Sequence, residues 1–192
     1  VSLFLETSNS IVSYRDAIIP TKSLKIYVDF LSIIKNETKI KKVSLILDQL
    51  EIKELKKISN LLKPSNFTSI INNKIIGGEL KAEIEVYLNQ NNQIDNFITK
   101  GSVLNLQTKI NKNLILNKTN FDFFADKSDI LLKNIFGELN FIKILEGDVK
   151  ANFSSEIELV SNFKTNFNYT IDSKNTPSIL QNFKFFKNIE NI

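Results

Sequence analysis

Apolar and polar residues alternate one by one along much of this chain. In the stretch LKIYVDF the apolar positions are Leu24, Ile26, Val28 and Phe30, and two charged residues lie between them. Successive side chains of a β-strand point to opposite faces of a sheet, so this alternation is typical of a strand that buries one face. The stretch therefore predicts a half-buried strand.

Longer alternating stretches follow between residues 78 and 171. GELKAEIEVYLN, VKANFSSEIEL and FKTNFNYTI place apolar residues at alternate positions, and weaker versions begin at Leu104 and Phe121. Each stretch predicts one more half-buried strand, and its apolar side chains are candidate functional residues. These candidates are Leu80, Ile84, Val86, Leu88, Leu104, Leu106, Phe121, Phe123, Val149, Phe153, Ile157, Leu159, Phe163 and Phe167.

Short polar segments separate the predicted strands. They are rich in Asn, Asp and Gly, which tolerate the left-handed backbone conformations that tight turns need. Because long strands joined by a few residues are typical of antiparallel neighbours, the spacing predicts an antiparallel meander. The predicted turns are Asn89–Asn92, Asn111–Asn113, Asp126–Ser128 and Glu146–Asp148.

Residues 54–72 break the alternation and have helical spacing instead. In KELKKISNLLKP, the residues Leu55, Ile58 and Leu61 recur at intervals of three before Pro64. SNFTSIINN has the same character, so we expect one or two short helices that cover part of the sheet or close one end of it.

The chain reads as one domain followed by a tail. Its 192 residues are enough for a single core of ordinary size. We expect the domain to cover residues 1–174, and the tail, which has no clear period, to lead into a further strand or module. The predicted parts are opening strands in 11–53, helices in 54–72, a β-meander in 78–172 and the tail in 175–192.

Composition excludes several classes of function. The chain has no Cys and no His, so disulfides, thiolate metal sites and catalytic triads that use His are impossible. An enzyme would have to depend on carboxylates or lysines, and no facing pair of carboxylates is evident. We therefore predict a protein that is not an enzyme and has no cofactor.

Charge gives little support to a nucleic-acid partner. The net charge is +4, and lysines cluster at residues 39–42 and 53–57. Glu37, Glu51 and Glu54 lie among these lysines, and mixed charges are typical of a solvated surface. We predict no nucleic-acid binding.

An aspartate cluster raises the question of a metal. FDFFADKSDI contains Asp122, Asp126 and Asp129. A calcium loop needs more oxygen ligands at closer spacing, and commonly a Gly, so this pattern favours a turn flanked by solvated carboxylates. We predict no metal site.

Three features of the chain occur together. The first is IVSYRDAIIPTKSLKIYVDFLSIIKNETKIKKVSLILDQLEI, with a strand that ends at Asp29, a corner at Ser32-Ile33-Ile34 and a returning strand. The second is the Leu- and Lys-rich helix from Glu54 to Leu62. The third is the series of amphipathic strands, with KGSVLNL and NIFGELNF as Gly-punctuated strand starts. In these features, over roughly residues 11–172, the chain resembles the AsmA-like superfamily, which includes YhdP- and TamB-type envelope proteins.

The resemblance carries expectations about location and function. It implies a periplasmic body, anchored in the inner membrane of a Gram-negative bacterium by a helix upstream of Val1, so that this chain is a piece of a longer protein. It also implies a curved, taco-like β-groove with an apolar concave side that shields phospholipid acyl chains. Such a groove contributes to phospholipid transport between membranes and to outer-membrane biogenesis. One position departs from the pattern, because Asn36 stands where we expect Gly; Asn also enters left-handed backbone conformations.

Two structures satisfy the alternating pattern. In a β-sandwich, a second sheet covers the apolar face, and alternation alone favours this solution. In a groove, the apolar face stays uncovered by protein and binds lipid, and the resemblance favours this second solution. The functional alternative is an extracytoplasmic binding or scaffolding module without lipid.

Overall fold

The computed structural model describes residues 2–14, 17–37, 39–61, 66–140, 142–153 and 157–167, and the predicted tail lies outside them. Most of the described residues belong to one curved, antiparallel sheet of 11 strands, accompanied by three short helices, which confirms the predicted mainly β fold. The strands are β1 (Ser2–Ser8), β2 (Ile11–Tyr14), β3 (Ala17–Asp29), β4 (Ile40–Leu47), β5 (Leu50–Glu51), β6 (Ile75–Leu88), β7 (Ile94–Lys109), β8 (Ile115–Asp126), β9 (Asp129–Leu139), β10 (Ile142–Asn152) and β11 (Glu158–Phe167). The helices are α1 (Phe30–Ile34), α2 (Ile52–Leu61) and α3 (Asn66–Asn73).

Strand order follows the chain closely. The order is β1-β3-β4-β6-β7-β8-β9-β10-β11, while β2 pairs with β3 and β5 pairs with β6. From β6 onward each strand pairs with the next one in sequence, as short polar connections require. Because all described strands belong to one sheet, the β-sandwich alternative is wrong for this part of the chain.

The pairing register separates the sheet into two chemically different faces. Residues directly opposite each other in an antiparallel pair share a face. Leu45 pairs with Ile84, and Ile84 pairs with Thr99, so these residues lie on one face, which we call the apolar face. Ser44 and Glu85, one position along, lie on the other, which we call the polar face.

The two longer helices cover one end of the apolar face. Leu50 pairs with Leu80 on that face and is only 1% exposed. Helix α2 contacts β3, β5 and β6, and α3 contacts α2 and β6. Buried Ile52 and Ile71 come from these helices, and the Ser59 hydroxyl of α2 donates to Asn72 Oδ1 of α3 at 3.1 Å. The helices therefore close the apolar face at the end of the sheet where β6 begins.

A series of β-bulges crosses the middle strands. The register shifts at Asn105 in β7, Lys118 in β8 and Asn134 in β9, and these residues have φ of 51°, 46° and 54°. Leu145 is the extra residue in β10. A bulge bends its strand and increases the local twist, so this series contributes to the curvature of the sheet.

Three predicted boundaries differ from the structure. Glu146–Asp148, predicted as a turn, lies inside β10, next to the bulge at Leu145. VKANFSSEIEL is not one strand, because β10 ends at Asn152 and β11 begins at Glu158. The opening part also contains β1, which pairs along β3 from Ser2 to Ser8 and was not predicted.

Candidate functional site

Ten of the 14 candidate residues lie together on the apolar face. The ladder Ala82–Gly101–Phe123–Leu132–Val149 runs across five strands and shows how the register aligns this face. The ten candidates are Leu80, Ile84, Val86, Leu88, Leu106, Phe121, Phe123, Val149, Leu159 and Phe163.

Leu104 is on the opposite face, contrary to the prediction. It pairs with Glu79 of the polar face, whereas Val103 pairs with Leu80 of the apolar face. The bulge at Asn105 adds one residue, so Leu106 returns to the apolar face beside Thr119. The prediction that Leu104 and Leu106 share the apolar face is therefore wrong, because it assumed a strand without a bulge.

Phe153 and Ile157 do not belong to the strand surface. Both lie at the connection between β10 and β11, and both are exposed. The Phe153 N–H donates to the carbonyl of Ser128 at 2.7 Å, which ties this connection to the neighbouring β8–β9 turn. Phe167 is the last residue of β11 and its backbone pairs with Ile142; its side chain lies outside the described part.

The apolar face also includes residues that were not among the candidates. Some belong to the opening strands, whose alternation predicts strands but whose residues are not among the candidates. Others lie in β9 and β10, where bulges shift the phase of the alternation between Leu132 and Ile135, and between Ile144 and Gly147. They include Leu24, Ile26, Val43, Leu45, Val103, Leu132, Ile135, Ile142 and Ile144.

Hydrocarbon side chains dominate this face. No charged residue occupies a paired position of the apolar face from β1 to β11 within the described residues. Ile84, Val86, Phe123 and Val149 remain partly exposed, because no second sheet formed by the described residues covers them. The face thus offers water-accessible hydrocarbon with a few hydroxyl groups, such as those of Thr99 and Ser161, which is the chemistry of a mainly apolar binding surface.

Glycine allows close approach at two points of this face. A Cβ built on Gly101 would lie 2.0 Å from the carbonyl oxygen of Lys81 and 2.9 Å from Cα of Ala82. At Gly147, the space that a Cβ would occupy holds the ring of Phe163 from the neighbouring strand. Phe163 therefore packs against the backbone of β10 at Gly147.

The polar face carries ion pairs and one connected network. Lys42 Nζ lies 3.0 Å from Glu85 Oε1 and 4.5 Å from the ring centre of Tyr27. The Tyr87 hydroxyl donates to Glu85 Oε2 at 2.6 Å. The hydrogen bond from Tyr87, followed by that from Lys42, holds the pKa of Glu85 below its ordinary value, while the same contacts raise the pKa of Tyr87 and of Lys42.

The aspartates of FDFFADKSDI accept hydrogen bonds from backbone N–H groups and neighbouring side chains. Asp126 Oδ1 accepts the N–H groups of Ser128 and Asp129, both at 2.8 Å, and these bonds lower the pKa of Asp126. Asp122 accepts from Asn134 Nδ2, and Asp129 accepts from Asn152 Nδ2. Within the described ranges, no group of three His, Cys, Asp or Glu side chains is arranged to hold a metal ion.

Two further results concern the membrane and known proteins. In the part of the chain that the structure describes, no helix combines the length and the apolar composition needed to cross a membrane. Comparison of the chain with protein-family models, with curated proteins and with solved structures gave no match.

Proposed function

We propose that this chain is a lipid-shielding module whose apolar face holds the acyl chains of phospholipids. The observation that carries the proposal is the continuous hydrocarbon face of one curved sheet, with no second sheet over it among the described residues. Ile84 and Phe123 lie near the middle of this face and remain partly exposed.

The energetics of the apolar face support an occupied surface. Exposed apolar patches of more than a few hundred Å² are uncommon on soluble proteins and mark binding surfaces. Transfer of each methylene from water to an apolar surface contributes about 0.8 kcal/mol. A strand of ten residues rises about 33 Å, which is long enough to extend across an acyl chain, and β6 has 14 residues.

The biological setting of the proposal comes from the AsmA-like resemblance. By that resemblance the module is non-catalytic, periplasmic and anchored in the bacterial inner membrane in the full-length protein. It contributes to phospholipid transport between membranes and to outer-membrane biogenesis. Transport by such a face needs no chemical step, only an apolar path along which lipid affinity changes little.

Protein scaffolding is the second candidate. Within the described sheet, β11 pairs only with β10, and Leu159 and Val160 are exposed on its two faces. An edge strand of this kind can pair with a strand of another protein, with affinity from backbone hydrogen bonds. This candidate requires no lipid.

Two adjacent phenylalanines in β8 allow a direct test. Phe123 pairs with Gly101 and Leu132 on the apolar face, whereas Phe124 pairs with Lys100 and Leu131 on the polar face. A photoreactive phenylalanine analogue at either position differs only in the face it probes. After expression in bacteria and irradiation, mass spectrometry would identify the molecules crosslinked at each position.

We expect phospholipid crosslinks at position 123 and few or none at 124. Native mass spectrometry of the unmodified protein should also detect co-purified phospholipid. Equal labelling at both positions would contradict the proposal. So would a protein that is folded and stable but contains no lipid. Crosslinks from position 123 to a protein alone would favour scaffolding instead.

A further inference from the structure

Helix α1 has the reverse of the usual arrangement of a surface helix. Its only buried residue is the polar Ser32, which is 4% exposed. The other four residues are large and apolar, and all are exposed; Leu31 is 64% and Ile34 is 65% exposed. A surface helix of a soluble protein normally turns its apolar stripe inward, so this helix displays hydrocarbon outward.

Hydrogen bonds fix this corner in place. The Ser32 hydroxyl donates to the carbonyl of Asp29 at 2.7 Å and accepts from the Lys39 N–H at 3.2 Å. Asp29 Oδ1 accepts from the Leu31 N–H at the start of the helix. Asn36, with φ of 54°, reverses the chain after the helix, as the sequence predicted. The exposed side chains are therefore held outward by a defined backbone.

Lysines lie beside the apolar tip. Residues 29–41 contain three lysines and two carboxylates. Lys41 pairs with Asp29 at 3.2 Å and Lys39 with Glu37 at 3.0 Å, while the exposed Lys35 has no ion pair among the described residues. Leu3 of β1, which pairs with Val28 just before the helix, adds another exposed apolar side chain.

We propose that the α1 corner inserts into the surface of a bilayer that contains anionic lipids. Leu31 and Ile34 would enter the boundary between headgroups and acyl chains, and Lys35 would lie at the level of the phosphates. Outward apolar side chains beside lysines are the composition of membrane-surface segments. The positive charge of Lys35, which is left over once the ion pairs of Lys39 and Lys41 are counted, matches an anionic membrane in particular.

This inference goes beyond the lipid-shielding proposal and does not depend on it. It needs only the corner at residues 29–37 and 39–41, at the end of the strands opposite the end that α2 and α3 cover. A protein that binds membranes through α1 but carries no lipid would support this inference and contradict the earlier one.

Vesicle flotation tests the corner directly. The purified chain is mixed with vesicles of phosphatidylcholine, with or without phosphatidylglycerol, and the bound fraction is measured. The corner variant carries Leu31→Ser and Ile34→Ser. The control variant carries Ile70→Ser and Ile76→Ser, which are 52% and 46% exposed in α3 and β6 near the covered end of the sheet.

We expect the unmodified chain to bind vesicles with phosphatidylglycerol, and the corner variant to bind at least about tenfold less because two apolar side chains no longer insert. The control variant should bind like the unmodified chain. Equal binding by both variants, or no binding by the unmodified chain, would overturn the proposal. So would a corner variant that changes only the oligomeric state in gel filtration, since α1 would then be an interface between copies.

The charge part of the proposal has its own readout. Lys35→Gln should weaken binding to vesicles with phosphatidylglycerol by about fivefold, since one lysine near an anionic surface contributes about 1 kcal/mol. Binding to phosphatidylcholine alone should not change. An equal loss on both kinds of vesicle would show that Lys35 does not recognise anionic headgroups.

Discussion

Asparagine has a defined structural role at the residue scale. The non-glycine residues with positive φ among those described are six asparagines and Lys118. Four of these asparagines, Asn9, Asn36, Asn92 and Asn140, lie in turns or corners, and Asn105 and Asn134 form bulges inside strands. The sequence alone does not show which asparagines have a left-handed backbone, because asparagine also occurs in regular strands.

Substitution of Asn105 should show whether this residue stabilises the fold through its left-handed backbone conformation or through its side chain. Asn105→Ala is expected to lower the free energy of unfolding by about 1 kcal/mol, because alanine is disfavoured in the left-handed region, while Asn105→Gly should cost little. Urea unfolding followed by circular dichroism would measure both. Asn162→Ala, at an exposed strand position, is the control and should change stability by less than about 0.5 kcal/mol. A stable Asn105→Ala protein would contradict the bulge assignment.

Glycines give a second prediction at this scale. Gly101→Ala places a methyl group against the backbone of β6, 2.0 Å from the Lys81 oxygen, and backbone atoms cannot move aside cheaply. We expect a loss of about 1–3 kcal/mol, as for other overpacked sites. Gly77→Ala is the matched control, because a Cβ at Gly77 meets nothing within 4 Å. Equal unfolding free energies for the two variants would refute the close approach of β6 and β7.

At the scale of elements, the sequence predicts the strands more accurately than it predicts their ends, connections and bulges. Alternation identified β6 because its 14 residues keep a regular two-residue period. The β10–β11 connection was missed because Phe153 and Ile157 keep the phase of the flanking strands and no Gly or Pro marks the turn. The face of Leu104 was wrong because a bulge at Asn105 shifts the phase. Such shifts depend on pairing with neighbouring strands, which a single stretch of sequence does not contain.

The network between β4 and β6 should make stability depend on pH. Contacts with Tyr87 and Lys42 hold the pKa of Glu85 below its ordinary value of 4.5, so the ionised form is favoured in the folded state. Its contribution to stability is therefore present above about pH 4.5 and is lost as the pH falls through the lower folded pKa. Glu85→Gln should unfold more readily than the unmodified protein near neutral pH, and the difference should shrink in acid.

Urea midpoints measured from about pH 7 down to about pH 3 would check this prediction. Glu146→Gln supplies the control, because Glu146 is an exposed carboxylate of β10 that lies outside the network. A constant difference between the unmodified protein and Glu85→Gln at every pH would show that Glu85 acts through packing and not through its charge.

At the scale of the whole molecule, the two faces of one sheet differ in chemistry. The polar face meets water with ion pairs such as Lys100–Glu83 at 2.8 Å. The apolar face is covered by helices only near Leu50 and Leu80 and is otherwise bordered by no second protein layer within the described residues. Under the proposed function, a change in the chemistry of the apolar face should therefore alter lipid binding.

A pair of identical substitutions on the two faces tests this division. Ile84→Asp adds a carboxylate to the apolar face, and Ile46→Asp adds one to the polar face, where Ile46 pairs with Glu83. Both sites are partly exposed positions in central strands. We expect Ile84→Asp to lose most co-purified phospholipid in native mass spectrometry, because a charge in contact with acyl chains is strongly unfavourable. Ile46→Asp should retain its lipid, and circular dichroism should show unchanged strand content in both proteins. If Ile84→Asp unfolds while Ile46→Asp does not, Ile84 is a core residue and the apolar face is not a lipid surface.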